Sequence, residues 1–166
     1  MSSTDEMIRD KLRQIPIFHA LRDAPEHLSL LEGICKLKRS PKGTVMIKEG
    51  DIGNEMYVVY SGEVEIKKRT RAGDDYTVLR LTAEQNVFFG EIALIDDDRR
   101  SATVVATQDS EFLVITKASF LKLGDEYPEI GLPITREIAK ILASRLRKTT
   151  GDMLILFDAL VNEIQE

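Results

Sequence analysis

The apolar positions of this chain fall into three zones with different periods. Residues 4–33 carry Met7, Ile8, Leu12, Ile15 and Phe18 at helix-like intervals, and "HLSLLEGI" repeats that spacing over a shorter stretch. Pro16 and Pro25 cut the zone into short helical pieces. From residue 34 to about 117 the period shifts to two. "GTVMIKEGD", "MYVVYSGEVEIKKR", "YTVLRLTAEQNVFF", "SATVVATQD" and "EFLVITKASF" are rich in Val, Ile, Tyr, Phe and Thr. Gly43, Gly50, Gly53, Gly62 and Gly73 fall near the ends of these runs, where turns favour residues that tolerate positive φ. Such short strands with turn signals between them predict an antiparallel sandwich or barrel rather than βαβ units. "KKRTRAGDDYT" predicts a hairpin tip, with Lys67, Lys68, Arg69 and Arg71 as a solvated, charged edge.

The helical period returns over 118–166. Pro128 and Pro133 interrupt it, and a long helix is predicted from about Ile134 towards Ile164. Leu142, Leu146, Thr149, Met153, Leu156 and Leu160 are spaced alternately by four and three, the seam of a helix-to-helix contact. Leu154, Phe157, Val161 and Ile164 form a second stripe on another face. Gly151 lies within the seam and is expected to bend or break the helix there, at about 1 kcal/mol relative to alanine. The predicted fold is therefore mainly β with flanking α-helices. One domain over 1–166 is expected, with a helical part at 4–33, a β part at 34–117 and C-terminal helices at 118–166.

Composition narrows the chemistry. A chain that is 43% hydrophobic and 31% charged is ordinary for a water-soluble domain. Its formal net charge of -5 argues against a general nucleic-acid binder. The single cysteine, Cys35, excludes a disulfide framework within one chain. The polar N-terminus "MSSTDEMIRDKLRQ" lacks the apolar core of a signal peptide, and no apolar run approaches the roughly 18–20 residues of a membrane span. A cytoplasmic protein without membrane contact is expected. His19 and His27 lie outside the strands, so no histidine cluster supports a metal site. No Walker loop, nucleophile elbow or EF-hand is present either, and a catalytic role is not expected.

One stretch carries more specific chemistry: "FFGEIALIDDDRRSATVV", Phe88 to Val105. "FGEIAL" reads as a strand end, a glycine break and one helical turn whose backbone N–H groups could face an anion. Arg100 follows ten residues after Gly90 and can grip a phosphate in bidentate fashion, with the Ser101 hydroxyl beside it. Glu91 can accept from sugar hydroxyls. On the residues alone, a solvated turn in which Arg99 and Arg100 pair with Asp96 to Asp98 accounts for the run equally well.

The stretch closely resembles the phosphate-binding cassette of the cyclic-nucleotide-binding domain family, which reads F-G-E-[LI]-A-L, a variable loop, then Pro-Arg-[AST]-A-[TS]-[VI]. Upstream, "PKGTVMIKEGDIGNEMYVVYSGEVEI" is similar to the family's glycine-punctuated first strands, and the likeness runs from about Ile15 to Phe157. The resemblance implies a jelly-roll-like β-roll with N-terminal helices and a long C-terminal helix. It implies that Arg100 meets a cyclic phosphate and Glu91 the ribose 2′-hydroxyl. Ser101, Ala102 and the amides of Gly90, Ile92 and Ala93 would complete the cradle. The chain departs from the pattern in carrying Arg99 where the family has proline, which implies a less rigid loop or an arginine paired with the local aspartates.

"LASRLRKTTGDM" also looks like the long helix of catabolite activator proteins, in which a Thr-Ser pair contacts adenine and the helices pair into a dimer. Thr149 and Thr150 are the matching residues. The expected ligand is cyclic AMP, with cyclic GMP as the alternative because Ser101 also suits a guanine-binding member. No cofactor or metal is implied. A homodimer through the C-terminal helix and a protein effector are expected. With the sequence ending at Glu166, a following helix-turn-helix is not. A degenerate docking or dimerisation module that binds no nucleotide is the other reading.

Overall fold

The computed structural model describes residues 3–70, 72–97 and 99–164; Arg71 and Asp98 of the charged runs lie outside the described residues. Three short helical elements lead in. They are α1 (Ser3–Gln14), a 3-10 helix (Pro16–Leu21) and α2 (Pro25–Gly33), and both prolines open their elements, where no N–H is needed. Among the described residues eight strands follow: β1 (Lys36–Ser40), β2 (Val45–Ile47), β3 (Glu55–Ser61), β4 (Glu63–Arg69), β5 (Asp75–Thr82), β6 (Phe88–Phe89), β7 (Thr103–Ala106) and β8 (Ser110–Thr116). Two helices close the chain, α3 (Lys117–Glu126) and α4 (Pro128–Ile164).

The strands form two four-stranded antiparallel sheets, ordered β1-β8-β3-β6 and β2-β7-β4-β5. This is the expected β-roll with helices at both ends. The β4–β5 hairpin carries Lys67, Lys68 and Arg69 towards its tip, where Arg69 pairs with Asp75 at 3.1 Å and Lys67 with Glu65 at 3.5 Å.

Two cores sit on opposite sides of the first sheet. Tyr57, Val59, Phe112 and Val114 point between the sheets and pack with Val64, Phe89 and Val104. Met56, Val58, Leu113 and Ile115 point the other way, under a helical layer of Leu12, Phe18, Leu31, Phe120, Ile130, Ile134 and Ile138. Strands β3 and β8 are buried on both faces, which explains why "MYVV" and "FLVI" read as continuous apolar runs instead of alternating.

The long helix begins earlier than its prolines predict. It spans Pro128–Ile164, with Pro133 inside it. A proline at that depth costs about 3 kcal/mol, but Ile130, Ile134 and Ile138 are fully buried on this same segment and their burial outweighs it. The helix also runs unbroken through Gly151, since one glycine among 37 residues costs too little to end it. Beyond Leu142 the helix leaves the core, and Leu146, Met153, Leu154, Ile155, Leu156, Phe157 and Leu160 are each more than half exposed. The side chain of Ile164 lies outside the described residues.

Candidate functional site

The segment singled out above closes one end of the roll. Strand β6 delivers Phe89 into the inter-sheet core, where its ring stacks on Tyr57 at 5.1 Å. Gly90 then turns the chain at φ 76° in the left-handed region, and a four-residue 3-10 helix, Glu91–Leu94, follows. The Ala93 N–H donates to the Gly90 carbonyl at 3.1 Å, so this amide is engaged within the turn. Glu91, Ala93 and Leu94 are buried; Ile92 and Ala102 are half-buried, and Ser101 is exposed.

Arg100 lines a cavity of about 200 Å³ together with Ile47, Gly53, Glu55 and Tyr57 among others. Its Nη2 donates to the Glu55 carbonyl at 2.6 Å and its Nη1 to the Gly90 carbonyl at 3.3 Å. Two bonds from a fork of five N–H groups leave donors for a ligand anion. Two glycines make room for this guanidinium. A Cβ on Gly53 would stand 2.0 Å from Arg100 Nε, and one on Gly90 would stand 2.8 Å from Nη1. Gly53 does not share the positive φ of the turn glycines Gly43, Gly50, Gly62 and Gly73; its requirement is space.

Burial pulls the Arg100 guanidinium below its ordinary pKa, while Tyr57, Glu55 and Glu91 act in the opposite sense. The Tyr57 hydroxyl donates to Glu55 Oε2 at 2.6 Å. Burial first, then that bond and the Glu55 charge, hold the phenol well above its ordinary pKa, so it remains a donor. The site is thus a half-buried cation whose compensating charge is set back from it, an arrangement suited to an incoming anion.

Glu91 lies on the other side of the turn and is 2% exposed. Arg145 of α4 reaches its Oε1 at 2.7 Å as an ion pair. Among the described residues no hydrogen-bond donor is aligned on that buried oxygen, which leaves it able to accept from a hydroxyl. Thr149 stands four residues after Arg145 and therefore on the same face of α4, one turn further from the cassette. Thr149 and Thr150 are both exposed. The structure so brings Gly90, Glu91, Arg100 and the α4 face together around one turn. Sequence reasoning missed Glu55, Tyr57 and Arg145, and read Gly53 as a glycine needed for positive φ. Of these only Arg145 had a usable signal, its spacing of four from Thr149.

The acidic loop is partly anchored. Asp97 pairs with Lys117 at 2.6 Å while remaining 90% exposed at its side chain, and the Asp97 N–H donates to Asp96 Oδ1 at 2.9 Å. Arg99 donates from Nη1 to the Gly50 carbonyl at 2.6 Å.

Comparison with known proteins places this geometry. The family model described as "Cyclic nucleotide-binding domain" matches residues 37–127. The Cyclic AMP receptor protein of Thermus thermophilus is 31% identical over 150 residues, covering 90% of this chain and 66% of the receptor. Human cGMP-dependent protein kinase 2 is 31% identical over 128 residues, 76% of this chain but 16% of the kinase. The chain thus spans a little under two thirds of the first relative and a small part of the second. The crystal structure of the Thermus thermophilus catabolite activator protein superposes with a TM-score of 0.74 at 31% identity, over 85% of this chain and 62% of that one. With a matched segment that holds β3, Gly90, Glu91 and Arg100, the chain belongs to the cyclic nucleotide-binding domain family.

Proposed function

We propose that this domain is a regulatory sensor that takes cyclic AMP in the cavity between the 50–55 segment and the cassette. Arg100 grips the cyclic phosphate, and Glu91 accepts from the ribose 2′-hydroxyl. Ser101, Ala102 and the backbone at Gly90, Ile92 and Ala93 complete the cradle. Thr149 and Thr150 supply hydroxyls to the base from α4, which favours adenine. The observation that carries the reading is the convergence of two complementary groups on one turn. A half-buried guanidinium is fitted against two glycines, and a buried carboxylate oxygen there has no aligned donor. A relative named for cyclic AMP and one named for cyclic GMP are each 31% identical over the matched residues, so the preference for adenine rests on the two threonines.

Output runs through α4. A hydroxyl reaching Glu91 acts on the partner of Arg145, and hence on the helix that carries Arg145. A ligand that favours one arrangement of cassette and helix shifts the population towards it. The exposed apolar residues beyond Leu142 then make α4 the surface for a second copy of this chain and for a protein effector.

Calorimetric titration of the full chain with cyclic AMP, cyclic GMP and non-cyclic AMP tests the reading. Cyclic AMP is expected to bind tightest and the non-cyclic nucleotide weakest. No heat with either cyclic nucleotide would leave a docking module, and tighter cyclic GMP would reverse the specificity.

A further inference from the structure

Residues 99 and 100 are tied to the 50–53 turn from both sides. The Arg100 N–H donates to the Asp51 carbonyl at 2.8 Å, and the Gly50 N–H donates to the Arg100 carbonyl at 2.9 Å. Ile52 and Arg99 form an isolated antiparallel bridge between the two segments. Onto this backbone stitch the Arg99 side chain adds a third tie, Nη1 to the Gly50 carbonyl at 2.6 Å. The same segment supplies Gly53, where a Cβ would stand 2.0 Å from Arg100 Nε, and it lines the cavity through Asp51, Ile52 and Gly53. Any play between turn and cassette therefore moves the guanidinium relative to its cavity.

We propose that Arg99 is a positioning residue, clamping the 50–53 turn to the cassette and so fixing where Arg100 presents its N–H groups. This rests on the reading of Arg100 as the phosphate grip. The amide bonds of the stitch are donated by Arg100 and Gly50, so a proline at 99 keeps both while restricting the backbone by its ring. Alanine at 99 keeps them too but loses the clamp. Arg99 is exposed, so neither change empties a core position.

The test measures cyclic AMP affinity by calorimetry and exchange of the Gly50 and Arg100 amide hydrogens, in the parent chain, Arg99→Ala and Arg99→Pro. The alanine variant is expected to bind about tenfold more weakly, the effect of one hydrogen bond to a charged group, and to exchange these amides about tenfold faster. The proline variant is expected to recover both to within about threefold. An alanine variant with parental affinity overturns the proposal. Weaker affinity with unchanged exchange also overturns it, because Arg99 would then act on the ligand directly. So does a proline variant as impaired as alanine. If the parent binds no cyclic nucleotide, the ligand reading fails by itself, and the exchange comparison alone decides whether the clamp exists.

Discussion

At the scale of single residues, the cassette separates groups proposed to bind from groups that make space. Replacing Arg100 by alanine removes the half-buried cation, and a lost buried charge contact of this kind costs about 2–5 kcal/mol. Calorimetry is expected to show affinity for cyclic AMP falling about thirty-fold to several-thousand-fold. Gly53→Ala should act differently. Its new methyl would meet the far end of the Arg100 side chain, which can swing away. The thermal midpoint is expected to stay within a few degrees of the parent. Affinity is expected to drop about ten- to hundred-fold, the scale of an ångström's misplacement of a binding group. Equal losses of stability and affinity would show that Gly53 serves the fold and not the grip. Nothing in the sequence distinguishes Gly53 from its neighbours Gly50 and Gly62. The latter two need a positive φ, whereas Gly53 needs an arginine 47 positions away.

At the scale of elements, periodicity was a reliable guide where one force dominated and a poor one where two competed. The strands announced themselves through β-branched runs and glycine breaks, and the β4–β5 hairpin lies where "KKRTRAGDDYT" put it. The start of α4 lies ahead of its periodicity because Pro133 is a local cost, whereas the burial of Ile130, Ile134 and Ile138 is a tertiary gain that no window around the proline reveals. Glu91 and Arg100 were legible because their residue types and spacing carry chemistry. Arg145 and Tyr57 entered the site through topology, across 54 and 43 positions from Glu91 and Arg100 respectively. The junction of α2 and β1 offers a separate check. Cys35 donates to the Leu31 carbonyl at 3.3 Å, and burial, helped by Glu32, raises its thiol pKa from 9.0 to about 12. The folded chain keeps this proton while the unfolded chain releases it. Stability from this group is therefore present below about pH 9 and is lost as pH rises towards about 12, at about 1.4 kcal/mol per unit. Urea titrations across that window are expected to show a shallower decline in Cys35→Ala than in the parent.

At the scale of the whole molecule, the imbalance lies in α4. Its N-terminal part is sealed into the helical core, and its remaining 22 residues, about 33 Å of helix, carry large apolar side chains into solvent. Most helical stability in proteins comes from packing of an apolar face, which this segment lacks, so a second helix along the Leu146–Met153–Leu156–Leu160 seam would stabilise it. Sedimentation is expected to find the parent as a dimer and the double variant Leu146→Ser, Leu156→Ser as a monomer, with Arg100→Ala still dimeric. A monomeric parent would assign the exposed face to another protein.

The placement of β3 has a wider implication. Met56 and Val58 hold up the helical layer, while Glu55 and Tyr57, interleaved with them on the same strand, line the cavity beside Arg100. The partition between the two compartments is one backbone thick. A change of packing among Leu12, Phe18 or Ile134 presses on the same peptide units that carry the Glu55 carbonyl under Arg100. Substitutions deep in the helical core are thus placed to shift the affinity of the proposed nucleotide site without touching the residues proposed to line it.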